Sequence, residues 1–271
     1  MVNRLAGKVA LISGAARGQG RSHAVALARE GADVVAFDVC ERLSTTMTPP
    51  ASLDDLRETA ELVEGQGRRC LTAQVDVRDL GSLTALAADA MGMFGRIDLL
   101  AVNHGLWSVA PNSWELEEES WQESIDVLLT GAWKVCKAFI PQLLAGGRGG
   151  AIVLTASSNG VTPQPSAIAY CAAKAGVLNM MRVLAWELGE HGVRVNAICP
   201  GGVDTLMVTG GGTLDQAMAL RPRYHGTNRN LLPVGLLPPQ SISDALVWLL
   251  SDDARYVTGI QLPVDAGWTA F

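Results

Sequence analysis

Near its amino terminus the chain reads K-V-A-L-I-S over residues 8–13, turns through Gly14-Ala15-Ala16-Arg17-Gly18-Gln19-Gly20, and continues as an amphipathic stretch over 21–30. A short apolar run of this kind suits a strand buried on both faces of a parallel sheet. Strand, glycine turn and helix in that order bring backbone N–H groups and the positive end of a helix to one point, where a pyrophosphate can sit. The glycines serve a tight turn, a close backbone approach and helix–strand packing. Their spacing is G-x-x-x-G-x-G rather than the commoner G-x-G-x-x-G.

The same alternation runs on toward the carboxyl end. Apolar runs at 33–38, 71–77, 97–102, 152–155, 193–198 and 261–264 predict six further strands. Long helices are predicted over 121–144 and 168–190; in the second, Tyr170, Lys174, Val177, Met181, Leu184 and Leu188 recur at helical spacing. This order predicts an α/β fold, a single doubly wound, Rossmann-like domain on a seven-stranded parallel sheet. At 271 residues the chain is ample for a sizeable core.

The residues that carry chemistry lie in the second half. Tyr170 and Lys174 stand one turn apart on one helix face. An ammonium near a phenol favours the phenolate and lowers its pKa from about 10, so the phenol can exchange a proton with an alcohol. Ser157 stands just past the carboxyl end of the strand predicted at 152–155, the edge where open α/β sheets bind ligands. A hydroxyl there can hold a substrate oxygen while Tyr170 handles the proton, and Ser158 is its rival for that role.

The glycine turn, Asn103-His104-Gly105, Ser157, Tyr170, Lys174 and Pro200-Gly201, in that order, resemble the short-chain dehydrogenase/reductase family across essentially the whole chain. The resemblance implies hydride transfer between a nicotinamide and a carbinol or carbonyl carbon. It casts Ser157 as the group polarising the substrate oxygen and Tyr170 as acid/base, with Lys174 tuning Tyr170 and holding the nicotinamide ribose. It places Gly14, Arg17, Gly18, Gln19 and Gly20 along the cofactor, Asp76 and Val77 beside its adenine, Asn103 and Gly105 beneath it, and Val203 and Thr205 at its carboxamide. Asp38, ending the second predicted strand, would accept from ribose hydroxyls and repel a 2′-phosphate, which selects NAD. Arg17 argues for NADP, but a carboxylate facing a dianion outweighs one flexible Arg. The family's usual assembly through its two long helices implies a homotetramer.

Two positions depart from the family pattern. Leu128 replaces an Asn that positions a water between the catalytic Lys and solvent, so the proton relay loses its usual anchor. His104 stands where Ala is usual, either lining the site or satisfied within its loop. Residues 40–52 form a polar, Pro-containing insertion leaving the strand that carries Asp38, longer than such connections usually are. A helix is predicted to begin at Leu53, with Ser52 as N-cap and Asp55 completing an approximate capping box. Together with the run G-A-A-R-G-Q-G-R-S-H-A, the insertion resembles the mycofactocin-associated, carveol-dehydrogenase-like subgroup. That implies a tightly held NAD, re-oxidised by a redox peptide cofactor.

A substrate lid is expected over 206–238, Gly-rich at Gly210-Gly211-Gly212, with Leu206, Met207, Met218, Leu231 and Leu232 as apolar cover. Trp107 is expected to wall the pocket, and the substrate to be an apolar secondary alcohol or ketone, terpenoid or steroid-like. The net charge of −6 offers no basic footprint for nucleic acid or an anionic membrane. Without an apparent transmembrane-length stretch or signal pattern, a cytoplasmic location is expected. Five scattered cysteines read as reduced core residues, and four histidines show no metal-ligand spacing. A 3-oxoacyl-carrier-protein reductase is the nearest alternative, opposed by Asp38 and the lack of a basic patch for an acidic carrier. A non-catalytic NAD-binding protein is the other, kept open by Leu128 and opposed by the intact Ser157, Tyr170 and Lys174.

Overall fold

Successive side chains along the strands divide by parity between two hydrophobic cores. In the computed structural model, which describes residues 3–46, 48–210, 219–220 and 230–270, β1 (Val9–Ser13) sends Val9 and Leu11 into one core and Ala10 and Ile12 into the other. The same split holds for Val35 and Phe37 against Val34 and Ala36 in β2 (Asp33–Asp38), and for Ile152 and Leu154 against Ala151 and Val153 in β5 (Gly150–Thr155). Period-two side chains on strands buried on both faces require this, which is why the runs read as continuously apolar.

The other strands are β3 (Cys70–Gln74), β4 (Leu99–Val102), β6 (Val193–Pro200) and β7 (Gln261–Val264). All seven pair in parallel in the order β3-β2-β1-β4-β5-β6-β7. One face is covered by α1 (Gly18–Arg29), α2 (Leu53–Glu64) and α7 (Pro239–Leu250), through Leu27, Leu56, Val63, Leu246 and Leu249. The other face is covered by α3 (Leu80–Phe94), α4 (Glu118–Ile125), α5 (Gly131–Ala145) and α6 (Ile168–Gly189). Each fully buried Leu or Phe in these layers contributes about 1.5–3 kcal/mol, more than helix propensity supplies at any one position. Strand order reverses between β1 and β4, so the loops leaving their carboxyl ends diverge and open a crevice there.

Several element ends differ from the sequence expectation. α1 starts at Gly18, three residues early, which places Gly18, Gln19 and Gly20 in its first turn. β3 stops at Gln74 because its only partner, β2, ends opposite at Asp38; Val75 to Val77 therefore leave the sheet. The helix predicted over 121–144 begins at Glu118 and contains a π-turn, Asp126–Thr130, in which Gly131 N–H donates to Asp126 O. The capping box at α2 forms as expected, with Ser52 Oγ accepting from Asp55 N at 3.1 Å and Asp55 Oδ2 accepting from Ser52 N at 2.7 Å. Contrary to the sequence reading, the helical spans Glu118–Ala145 and Ile168–Gly189 are long and apolar enough to cross a membrane. Half of each such window is buried against the sheet and neighbouring helices, which is the pattern of core helices.

Candidate active site

The crevice divides into two adjoining cavities. The first, about 550 Å³, runs from Asp38, Asp76 and Val77 past the glycine turn to Asn103 and Gly105. Its floor is shaped by residues that exclude side chains. Gly14 has φ +68°, and a Cβ on it would stand 2.8 Å from His104 Cα. A Cβ on Gly20 would stand 1.9 Å from Gly14 O, so no other residue fits. Arg17 takes the N-cap position of α1 but makes no side-chain cap, and no acidic residue lies in the first turn. The first-turn N–H groups and the positive helix end are therefore available to an anion. At the far end Asp38 Oδ2 accepts from Ala16 N at 3.1 Å, which locks the carboxylate beside the glycine turn.

The insertion folds across this cleft, where Leu43, Thr46, Thr48, Pro49 and Pro50 form part of the wall. Its anchor is Glu123 on α4, a buried carboxylate that accepts from Ser44 N and Oγ, each at 3.1 Å, and from Thr45 N at 2.8 Å and Oγ1 at 2.6 Å. Burial alone would raise the Glu123 carboxyl, yet these donors hold it below its ordinary range. Arg17 donates to the carbonyls of Pro49 and Pro50, so its charge is committed to the loop rather than poised for a phosphate. Arg78 pairs with Asp76 and reaches Glu123 at 3.3 Å, tying the Asp76 wall of the cleft to the same anchor.

The second cavity, about 430 Å³, brings Ser157, Tyr170 and Lys174 together, with Trp107, Pro200, Gly201 and Val203 also in its wall. Gln19, Asn103, Gly105, Thr205 and Met207 line both cavities, so the two are continuous. Burial pushes the Tyr170 phenol up to about 12, and the Ser157 hydroxyl beside it works in the opposite direction. Lys174 is buried and donates to Thr155 O at 2.6 Å, with Nζ 5.8 Å from the Tyr170 ring centre. Burial lowers the Lys174 ammonium to about 8. The expectation that Lys174 pulls the phenol down is thus not met in this geometry, because desolvation of both groups dominates. Trp107 forms the expected wall, its ring edge-on to Tyr170 at 4.6 Å. Ser157, not Ser158, stands against the phenol, and its Oγ accepts from Asn159 N at 3.1 Å.

His104 is satisfied within its loop. Its Nε2 donates to Val127 O at 3.0 Å in the π-turn, and Ser13 Oγ donates to Nδ1 at 2.8 Å, which fixes the tautomer. Enclosure of the ring, with the Lys174 charge adding, holds it neutral, at about 3. Leu128 is buried, and its Cδ2, Met207 Cε and Lys174 Nζ all lie within 4.0 Å of the point where Gly105 would carry a Cβ. Leu128, Met207 and the ammonium thus gather around Gly105. The expected lid is only partly described. Gly211, Gly212 and Met218 lie outside the described residues, while Met207 lines both cavities and Leu206 the first. Leu231 and Leu232 face solvent, at 62% and 59% exposed, and Val234, Leu236 and Trp268 line the cavity instead.

A family model described as Enoyl-(Acyl carrier protein) reductase matches residues 14–269. The (-)-trans-carveol dehydrogenase of Rhodococcus erythropolis is 44% identical over 98% of this chain and 99% of its own length. The chain belongs to the short-chain dehydrogenase/reductase family. Two solved structures of the family are similar throughout. Carveol dehydrogenase from Mycobacterium avium in complex with NAD has a TM-score of 0.93 at 44% identity, covering 99% of both chains. A short chain dehydrogenase from Mycobacterium paratuberculosis bound to NAD has a TM-score of 0.94 at 41% identity, covering 99% of this chain and 100% of that one.

As a short-chain dehydrogenase/reductase the chain has a cleft that fits a dinucleotide on its own geometry. Gly14 and Gly20 in the cradle have no room for a side chain, the α1 amino end has no side-chain cap, and among the described residues Gln19 Oε1 is buried there without a partner. Sequence reasoning missed Glu123, Asn159 and Gln164. Glu123 sits in an acidic helix start that reads as a solvated face, and only the folded insertion reveals its partners.

Proposed function

We propose that this short-chain dehydrogenase/reductase interconverts an apolar secondary alcohol and its ketone, with NAD as cofactor. The observation that carries the reading is the continuity of the two cavities, with Asp38 at the far end of one and Ser157, Tyr170 and Lys174 along the wall of the other. The NAD complexes of similar structures and the carveol dehydrogenase name of a relative support it. Asp38 opposes a 2′-phosphate, and Arg17, held on the insertion, does not offset it. The same carboxylate, with a net charge of −6, disfavours a reductase serving an acidic carrier protein.

The α1 amino end and glycine turn would hold the pyrophosphate, Asp38 the adenosine ribose, Asp76 and Val77 the adenine side, Asn103 and Gly105 the nicotinamide half, and Val203 and Thr205 its carboxamide. Bound NAD supplies hydride chemistry. Ser157 Oγ donates to the reacting substrate oxygen and orients it. Tyr170 Oη accepts the alcohol proton in oxidation and returns it in reduction, and its raised pKa makes the phenol the resting form at neutral pH. Lys174, its ammonium on Thr155 O, supports the cofactor ribose and places positive charge near the phenolate. Trp107, Val234, Leu236 and Trp268 give the cavity an apolar lining that matches an alicyclic skeleton of terpenoid or steroid type.

The insertion clasps the adenosine end and, through Glu123, retains NAD, so that reduced cofactor is re-oxidised in place by a redox peptide of the mycofactocin kind. Trp121, Trp133 and Trp186, exposed on α4, α5 and α6, suit the homotetramer that the family forms with these helices. The enzyme works in the cytoplasm. The test is incubation of the purified protein with carveol and an artificial electron acceptor. Reduction of the acceptor without accumulation of free NADH supports the reading, and no oxidation of carveol or other alicyclic alcohols refutes it.

A further inference from the structure

We infer that the turn after β7, residues 265–269, sets which alicyclic compounds the substrate cavity admits, with Trp268 as the limiting part of the wall and Asp265 as the residue that positions it. The inference rests on the reading of this cavity as the substrate site. Trp268 is half-buried and lines the cavity beside the segments 200–203 and 230–236. Gly201, Gly202, Val234, Gly235 and Leu236 come from those segments, so the indole is much the largest group in this part of the wall. An indole covers about 150–250 Å² of surface, so its placement decides whether a substituent on a bound ring has room.

The turn that carries the indole is tightly held. Asp265 is buried; its Oδ1 accepts from Gly267 N at 2.9 Å, and its Oδ2 accepts from Thr269 N at 2.9 Å and Thr269 Oγ1 at 2.7 Å. One carboxylate thus grips the residues on both sides of Trp268, whose own N–H donates to Asp265 O at 3.1 Å. Ala266 has φ +54°, a left-handed conformation that a residue with a Cβ keeps only where its surroundings over-determine it. Its carbonyl accepts from Leu231 N at 2.8 Å and Leu232 N at 3.1 Å. Two close approaches fix the turn from outside. A Cβ on Gly201 would stand 2.9 Å from Asp265 Cα, and one on Gly267 would stand 2.7 Å from Leu231 Cβ. The turn is therefore wedged between the end of β6 and the 231–232 segment. Asp265 and Thr269 lie in the wall of neither cavity described above, so a change at either reaches a ligand through the turn.

The test is calorimetric titration of the protein carrying NAD with cyclohexanone and each of its positional tert-butyl derivatives, ketones that the oxidised cofactor leaves unconverted. Trp268→Ala should favour at least one derivative over cyclohexanone by about 10-fold or more relative to the parent, read as the ratio of dissociation constants. Asp265→Asn, whose amide cannot accept from Gly267 and Thr269 together, and Thr269→Val should each move the same ratio in the same direction. Either of these with the circular dichroism of the parent suffices. Added to Trp268→Ala, neither should move the ratio further, a result that general loosening of the protein would not give. Unchanged ratios in Trp268→Ala overturn the inference, as does failure of every ketone to bind the parent and that variant. No shift in a folded Asp265 or Thr269 variant, or a full further shift in the double variant, overturns the positioning by Asp265. Turnover of alicyclic alcohols separates the two readings. A shifted ratio in a protein that oxidises none of them contradicts the hydride-transfer reading alone, and oxidation with unshifted ratios contradicts this inference alone.

Discussion

The Lys174 ammonium donates to the carbonyl of Thr155 at 2.6 Å and pairs with no carboxylate among the described residues, so a buried charge is held by a neutral acceptor. Its pKa, lowered from 10.5 to about 8 by burial, means that the unfolded chain binds the proton more tightly than the folded one. The penalty is full below about pH 8 and disappears as pH rises toward the unfolded value, so this group makes stability increase with pH in that window. The whole effect is roughly 3 kcal/mol. Lys174→Met should flatten that rise in chemical denaturation measured across the window. Its gain at neutral pH should be smaller, because the Thr155 carbonyl loses its donor.

In the proposed reading Asp38 sets cofactor choice by its charge, and it is held in place by accepting from Ala16 N. Asp38→Ala should narrow the preference for NAD over NADP by about tenfold or more, read as the ratio of dissociation constants. A parent protein that binds NADP at least as well as NAD would contradict the role given to Asp38.

Glu123 gathers four donors from Ser44 and Thr45, so it is the insertion's principal tie to the body of the protein. Glu123→Ala leaves those donors unpaired and should speed exchange of labelled NAD by roughly 10- to 100-fold. The residue lies in the wall of neither cavity described above, so direct loss of cofactor contact does not explain such a change. Exchange within seconds in the parent protein would refute the clasp.

Leu128 is buried, and its side chain and the Lys174 ammonium lie on either side of Gly105. If proton escape limits the rate, Leu128→Asn should raise kcat several-fold at some loss of stability, about 1–3 kcal/mol for an unpaired buried amide. A folded variant with unchanged kcat would mean that the proton leaves by another path.

The sheet was legible because runs such as 9–13 and 151–155 are apolar on both faces, and the site because Tyr170 and Lys174 carry helical spacing after Ser157. What the sequence did not reveal depends on contacts between distant segments. The Glu123 anchor joins residues 78 and 79 positions apart, and the early end of β3 follows from where its partner strand stops. The Tyr170 pKa was misjudged for the same reason. Spacing reported a nearby ammonium but not the depth at which both groups are buried.

The most direct test of the account is a single turnover of an alicyclic alcohol deuterated at its carbinol carbon, mixed with protein loaded with NAD, over a range of pH. The parent should move the deuterium to the nicotinamide, with a rate that climbs as pH rises from about 6 to about 8, the range over which the Lys174 ammonium stays charged. Oxidation needs the Tyr170 phenolate, whose pKa lies at about 12. Tyr170→Phe should bind NAD normally and transfer no deuterium. Transfer by Tyr170→Phe within a few-fold of the parent, or a parent rate that falls across that range, would contradict the assignment of Tyr170 as the proton-transferring group.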